Sequence, residues 1–284
     1  MASSTPKLTR RLYNQNEISI CYFTTKVYKN RPSLVMVHGF RGDHRGMLKI
    51  AAELGDSYNL FIPDLPGFGA SQPFTSHRHD VQAYANFLHD FIKKLELKKP
   101  NILAHSFGTT IASAFATEHP EAINKLVLLS PIAANPVPKA LNFLTQPAMS
   151  LLHALPEKLG RALTATNLVT DIMSLSTTKT KDKQLRRWIK VEHRRYFNSF
   201  ATHRSMMEAM QASSSHHVAM YAKQVTTPTL IIAGDKDGVG KFKHQKNLAK
   251  LSTSAQLKVI SGVGHLTHYE TPKEVAAATK EFLD

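Results

Sequence analysis

A single cysteine, Cys21, stands in a chain of 284 residues, which rules out an intramolecular disulfide framework and fits a reducing compartment. No apolar run exceeds strand length, so no membrane-spanning helix is expected. The opening Met1-Ala2-Ser3-Ser4-Thr5-Pro6-Lys7 lacks the apolar centre of a secretory signal, and the expectation is a cytoplasmic protein. Acidic residues are scarce: 21 Asp and Glu face 36 Lys and Arg, a formal charge of +15. Such an excess suits nucleic acid, an anionic membrane surface or acidic substrates. No nucleic-acid motif accompanies it, and the basic residues are not interleaved with aromatics, so no nucleic-acid partner is expected. Most of the charge is assigned to solvated faces. His77/His79 and His216/His217 form no convincing ligand set, and neither a metal nor an organic cofactor is expected.

What is present is organised around Pro100–Glu118. Asn101-Ile102-Leu103-Ala104 is a short apolar run of strand length, and Phe107–Thr117 places small and apolar residues at helical spacing. Between them sits Ala104-His105-Ser106-Phe107-Gly108. A serine pinned between a buried strand and a buried helix needs a hydrogen-bonding partner. Two readings fit: Ser106 as an ordinary helix N-cap, or as the exposed nucleophile of a strained small-x-Ser-x-Gly turn. An acid and a histidine in the right places decide between them.

The rest of the chain alternates strands with helices. Lys7–Tyr13 and Glu17–Tyr28 suggest a hairpin turning at Asn14-Gln15-Asn16. Ser33–Val37, Tyr58–Ile62, Asn101–Ala104, Lys125–Leu129, Pro228–Ala233 and Gln256–Ile260 are strand-like. Asp80 opens a long amphipathic helix, and further helices are expected at Lys241–Leu251 and Pro272–Leu283. This alternation implies an α/β fold: a mostly parallel sheet of about eight strands, helices on both faces. After Pro131 the pattern changes. A linker punctuated by Pro136 and Pro138 leads into helical segments up to about residue 225, read as a helical cap. The expected division is 1–130 and 226–284 for the core and 131–225 for the cap. In such sheets ligands gather at the carboxyl ends of the strands. His38-Gly39-Phe40, Ser106, Asp235/Asp237 and His265 all follow strands.

With these stretches in hand the chain resembles the α/β-hydrolase superfamily, its capped, soluble serine-esterase branch. The resemblance rests on Val37-His38-Gly39-Phe40, Pro63-Asp64-Leu65-Pro66-Gly67-Phe68-Gly69-Ala70-Ser71, Ala104–Gly108, Gly234–Asp237 and Gly264-His265…Glu270-Thr271-Pro272. It implies Ser106 as nucleophile, His265 as base and Asp237, rather than Asp235, as the acid that orients it. It implies an oxyanion hole from the backbone N–H groups of Phe40 and Phe107. His38 and Asp64 are read as loop architecture, Asp235 as a turn residue, and His268 as a surface or gatekeeping side chain. Ala104 replaces the commoner first glycine of the elbow, a change that a demand for small size tolerates. Serine rather than aspartate as nucleophile argues against the dehalogenase and epoxide hydrolase branches.

The expected substrate is a small molecule, an ester with a small to medium apolar acyl group. Met149, Leu151, Leu152, Met173, Leu175, Met206, Met207 and Met210 are candidates for an apolar pocket, most of them equally suited to helix packing. Residues 131–225 carry thirteen Lys and Arg against five Asp and Glu. Within them Arg187-Trp188 resembles a pair found in the cap of carbon–carbon bond hydrolases acting on vinylogous diketones, although Leu266, not tryptophan, follows His265. Arg187, Trp188 and Met207 are accordingly candidates for substrate contact. Carbon–carbon hydrolysis and a ligand-binding receptor on the same fold are the alternatives to ester hydrolysis.

Overall fold

A computed structural model describes residues 7–15, 17–135 and 147–284. Eight strands form one sheet in the order β1-β2-β4-β3-β5-β6-β7-β8. They are β1 (Thr9–Gln15), β2 (Ile18–Thr24), β3 (Ser33–Val37), β4 (Asn59–Pro63), β5 (Asn101–His105), β6 (Leu126–Leu129), β7 (Thr229–Gly234) and β8 (Ala255–Ile260). The first two strands pair antiparallel, and β2 joins β4 antiparallel; from β4 through β8 every pairing is parallel. The hairpin turns later than its polar residues suggested: β1 continues through Asn14 and Gln15, which pair with Ser19 and Ile18. Asn16 lies outside the described residues. An exposed edge strand tolerates polar side chains, so their polarity was no marker of a turn there.

Strand periodicity splits the core into two layers. Val35, Val37, Ile102, Ala104, Leu126, Leu128 and Ile231 face one side, against α2 (Val81–Lys94) and α3 (Phe107–Glu118). Leu34, Met36, Leu103, Val127, Leu129, Leu230 and Ile232 face the other, against α1 (Leu48–Leu54) and the C-terminal helix Pro272–Leu283. Asp80 caps α2 by accepting from the Ala83 amide at 2.8 Å. The chain runs from β3 outward to β4, then crosses back to lay β5 on the other side of β3. That reversal opens a crevice at the carboxyl ends of β3 and β5, where an open α/β sheet receives its ligand. His38-Gly39-Phe40 and Ser106 follow these two strands directly.

Between β6 and β7 the described residues are helical: α4 (147–153), α5 (Glu157–Thr164), α6 (Asn167–Thr177), α7 (Lys183–Tyr196) and α8 (His203–Ser215). The expected linker at Pro136 and Pro138 lies outside the described residues. This helical insertion is fastened to the core along one margin. Gly69 N–H donates to Ser199 O and Ala201 N–H to Gly67 O, each at 2.8 Å, pairing Phe68 with Phe200 as a short antiparallel bridge. Arg41 spans the junction, donating to Phe197 O, Thr164 O and Asn198 Oδ1. Glu208 of α8 accepts from both the amide and Nδ1 of buried His79. No described helix is long and apolar enough to cross a membrane.

Candidate active site

Ser106 lies between β5 and α3, at the N-cap position, with φ 52° and ψ −120°, a conformation that costs an L-residue strain. Close packing holds the strain in place. A Cβ on Gly108 would lie 2.6 Å from His38 O and 2.9 Å from Val37 O, and a Cβ on Gly39 would lie 3.0 Å from Ser106 Cβ. Glycine at both positions lets the loop after β3 press against the turn. The hydroxyl therefore stands at the sheet edge and does not cap the helix, and no side-chain cap bond forms there. The plain N-cap reading fails on this geometry.

Two residues distant in the chain meet it. Ser106 Oγ lies 2.8 Å from His265 Nε2, and His265 Nδ1 lies 2.9 Å from Asp237 Oδ2. Asp237 and His265 are buried while Ser106 is half-buried, so the array is wet only at the serine. Burial alone would raise the Asp237 pKa. The adjacent imidazole, together with hydrogen bonds from His265, Gln245 and Gly240, outweighs burial and holds the carboxyl below its usual range. Val239 and Gly240 amides donate to Oδ1 at 2.8 and 2.9 Å, and Gln245 Nε2 donates to Oδ2 at 2.9 Å. With its acceptor sites filled by donors, Asp237 presents one fixed lone pair to His265 Nδ1–H. That fixes the tautomer that leaves Nε2 free to accept from Ser106. Asp235 points elsewhere and ties its own turn, accepting from Gly262 N–H at 2.7 Å and Ser261 Oγ at 3.0 Å.

Sequence reasoning missed three supporting residues. Gln245, on α9 (Phe242–Leu251), is fully buried and bridges Asp237 to Pro131 O. A lone glutamine in a basic helix gave no sign of this. His105, the variable residue of the elbow, donates from Nε2 to His265 O at 3.2 Å and steadies the backbone that carries that imidazole. Burial and the neighbouring His265 lower its pKa to about 3, so it stays neutral. His193 of α7 lines the cavity, is buried, and neither ring nitrogen has a partner. His268 departs from expectation. It is buried, not on the surface, with its ring 4.0 Å from that of His105, because the segment after His265 folds into a short helix, α10 (Thr267–Glu270), where a loop was expected. His38 is loop architecture: Nε2 accepts from Leu65 N–H and Nδ1–H donates to Gly39 O, each at 2.9 Å.

Ser106 opens into a cavity of about 220 Å³ lined on the apolar side by Ile132, Met173, Met210, Val239 and Leu266. Phe40 and Phe107 also line it. Phe107 is the first residue of α3, where an amide has no partner within the helix. The three insertion residues expected at the substrate do not line this cavity. Arg187 is exposed on α7. Trp188 packs edge-on against Tyr269 at 5.3 Å, with Lys49 Nζ 4.0 Å over its ring. Met207, on α8, is buried in the core cluster that also holds the apolar side chains of α2 and α3. Helical phase turns Arg187 away from the cavity, to which Glu192, His193 and Tyr196 of α7 are turned instead. Of the wider set of apolar candidates, Met173 and Met210 reach it, whereas Leu151 and Leu175 are exposed.

Among the described residues, Asp43, His44 and Asp64 are the one grouping of metal-capable side chains. Several of their polar atoms are already engaged. Asp64 accepts from the His44 amide, His44 Nδ1 and the Ala70 amide, and Asp43 pairs with the Arg45 amide and guanidinium. The group shapes the loops beside the cavity.

Comparison with known proteins follows the same lines. The family described as alpha/beta hydrolase fold matches residues 32–272. Lipase 3 of Moraxella sp. (strain TA144) is 28% identical over 257 residues, covering 88% of this chain and 77% of that protein. Monoacylglycerol lipase ABHD6 of Mus musculus is 24% identical over 286 residues, covering 96% and 82%. Among solved structures, a thermophilic esterase from Thermogutta terrifontis superposes with a TM-score of 0.79 at 21% identity, covering 98% of each chain.

Proposed function

Since this chain belongs to the α/β-hydrolase fold family, we propose that Ser106, His265 and Asp237 form a catalytic triad that hydrolyses carboxylic esters. The observation that carries the reading is the unbroken relay of 2.8 and 2.9 Å from hydroxyl to imidazole to carboxylate. Similarity to the Moraxella lipase and the mouse monoacylglycerol lipase supports an ester as the substrate. Ser106 Oγ attacks the carbonyl carbon while His265 Nε2 takes its proton, and the carbonyl electrons move onto oxygen. The Phe40 and Phe107 amides hold that oxyanion. Collapse expels the alcohol, which takes the proton from His265, and leaves Ser106 acylated. Water attacks in the same manner to release the acid and restore the serine.

The cavity volume lies below the ~300–1,000 Å³ of drug-sized pockets, which favours small or medium acyl groups against Met173, Met210 and Val239. Residues 131–225 act as the cap over this cavity, with the core on either side. The buried, unpaired thiol of Cys21 suits a cytoplasmic setting. Carbon–carbon hydrolysis rested on Arg187-Trp188, and their position outside the cavity removes its support.

The test is turnover of p-nitrophenyl acetate, butyrate and longer esters by wild type and Ser106→Ala, with fluorophosphonate labelling of both. Labelling and turnover that depend on Ser106, with a short-chain preference, are expected. Equal turnover by the two proteins would defeat the assignment.

A further inference from the structure

Helix α6 is built inside out. It buries Thr170 and Ser174, and it exposes Leu168, Ile172 and Leu175 to 70%, 59% and 67%. Positions 168, 172 and 175 are spaced four and three apart, so the three side chains form one stripe, opposite the buried polar pair. An ordinary surface helix of a globular protein turns its apolar stripe to the core. The neighbouring elements continue the pattern. On α5, Leu159 and Leu163 are half exposed at i, i+4, and on α7, which packs beside α6, Val191 is also exposed. Asp171 of α6 binds Lys190 and Arg194 of α7, the residues that bracket Val191, and so locks the two helices side by side. Isolated exposed leucines need no explanation, but a three-residue stripe on α6, with Val191 exposed on the helix packed beside it, marks a partner.

The charge around the stripe selects the partner. Lys158, Lys183, Arg186, Arg187 and Arg195 are exposed on the same helices. Residues 131–225 hold a surplus of eight positive charges out of the chain's fifteen. Aliphatic side chains flanked by lysine and arginine match a lipid interface, where the apolar face enters the acyl boundary and the cations meet anionic headgroups. A second copy of this chain would set like charges against each other. Single-stranded nucleic acid would call for aromatic stacking platforms, and the stripe is aliphatic.

We propose that the outer surface of α6 and α7 docks on anionic membranes. The opposite face of the same α6 carries Met173 and Thr177, which line the cavity in front of Ser106. One helix thus separates the bilayer from the substrate cavity, and docking would bring amphiphilic esters beside the nucleophile. The docking itself stands apart from the hydrolase reading; only this supply of substrate rests on it.

The experiment is sedimentation of the full chain with vesicles of phosphatidylcholine, with and without phosphatidylglycerol, at low and high salt. Two variants accompany wild type: Leu168→Ser/Ile172→Asp/Leu175→Ser, and Arg187→Glu/Arg195→Glu. None of these side chains lines the cavity, so turnover of soluble p-nitrophenyl butyrate should be unchanged and reports folding and the active site separately. Wild type should pellet with the anionic vesicles and be released by salt. Each variant should bind about tenfold more weakly or worse. Wild type left in the supernatant, or both variants pelleting as well as wild type, would overturn the proposal. So would concentration-dependent dimerisation that the stripe substitutions abolish while vesicle binding is absent, which would assign the stripe to a second copy.

Discussion

Replacing Asp237 with asparagine exchanges one oxygen for an NH2 group at nearly constant volume. Four donors converge on the native carboxylate, the Val239 and Gly240 amides on Oδ1 and the Gln245 and His265 nitrogens on Oδ2. An asparagine oxygen can serve only one of these pairs. If it stays with the backbone amides, its NH2 faces two groups that also donate. Gln245 can turn its amide over, because its Oε1 has no partner now, at the loss of its bond to Pro131 O. His265 can accept from the new NH2 only by moving its own proton to Nε2. That tautomer has no lone pair for the Ser106 proton. The expected loss in kcat is therefore ~10³–10⁴, the scale this exchange reaches in serine-protease triads, or about 4–5.5 kcal/mol in the barrier. KM should move by less than about threefold, since no cavity wall changes. The assay is steady-state hydrolysis of p-nitrophenyl butyrate by wild type, Asp237→Asn and Ser106→Ala. If the asparagine protein keeps more than about a tenth of wild-type kcat, the tautomer argument is refuted.

Two further outcomes follow from packing. His38, His79, His105, His193 and His268 are buried, and burial is the main cause that lowers each pKa, to about 4 for His193 and about 3 for His105. Each is neutral in the fold and protonates in the unfolded chain, which binds more protons in acid. The stability they contribute is complete above about pH 6.5 and is lost as pH falls toward the folded values, by about 1.4 kcal/mol per pH unit for His105 and His193 between those values and about 6.5. Urea unfolding at about pH 7 and about pH 5 should show this loss. His193→Phe should make the slope shallower, and an unchanged slope would contradict the account. Gly108→Ala sets a methyl group against two backbone carbonyl oxygens that cannot yield without moving β3. About 3 kcal/mol of stability should go, with esterase activity lost alongside, and a urea-derived change under about 0.5 kcal/mol would argue against the close contact.

The convergence of the candidate residues was more legible in the sequence than their surroundings. Ser106 and Asp237 follow strand-length apolar runs and His265 follows the mixed strand Ala255–Ile260, and topology carries all three to one edge of a parallel sheet. The buried strands were readable because Ser33–Val37 and Thr229–Gly234 are apolar on both faces and so cannot lie at a wet edge. Side chains that act through tertiary placement were not. Gln245 looks like any polar residue of a basic helix until β7 brings Asp237 beside it. Leu175 was expected in a pocket because periodicity reveals that a helix has an apolar stripe, not which way the stripe faces. α10 is four residues long, too short to show a period at all, and its single turn is what buries His268. Arg187 and Trp188 were placed by resemblance of a dipeptide; in the fold Arg187 is exposed and Trp188 packs against Tyr269 and Lys49.

The bridge between Phe68 and Phe200, with Arg41 clasped across it, has a mechanical consequence. Four of the five residues 197–201, Phe197, Asn198, Ser199 and Ala201, are bonded to the core by backbone and guanidinium groups, so this margin behaves like the jamb on which a door is hung. Any widening of the entrance that keeps these bonds must turn about residues 197–201 as its axis, and it must break the bond from the Lys179 amide to Glu270.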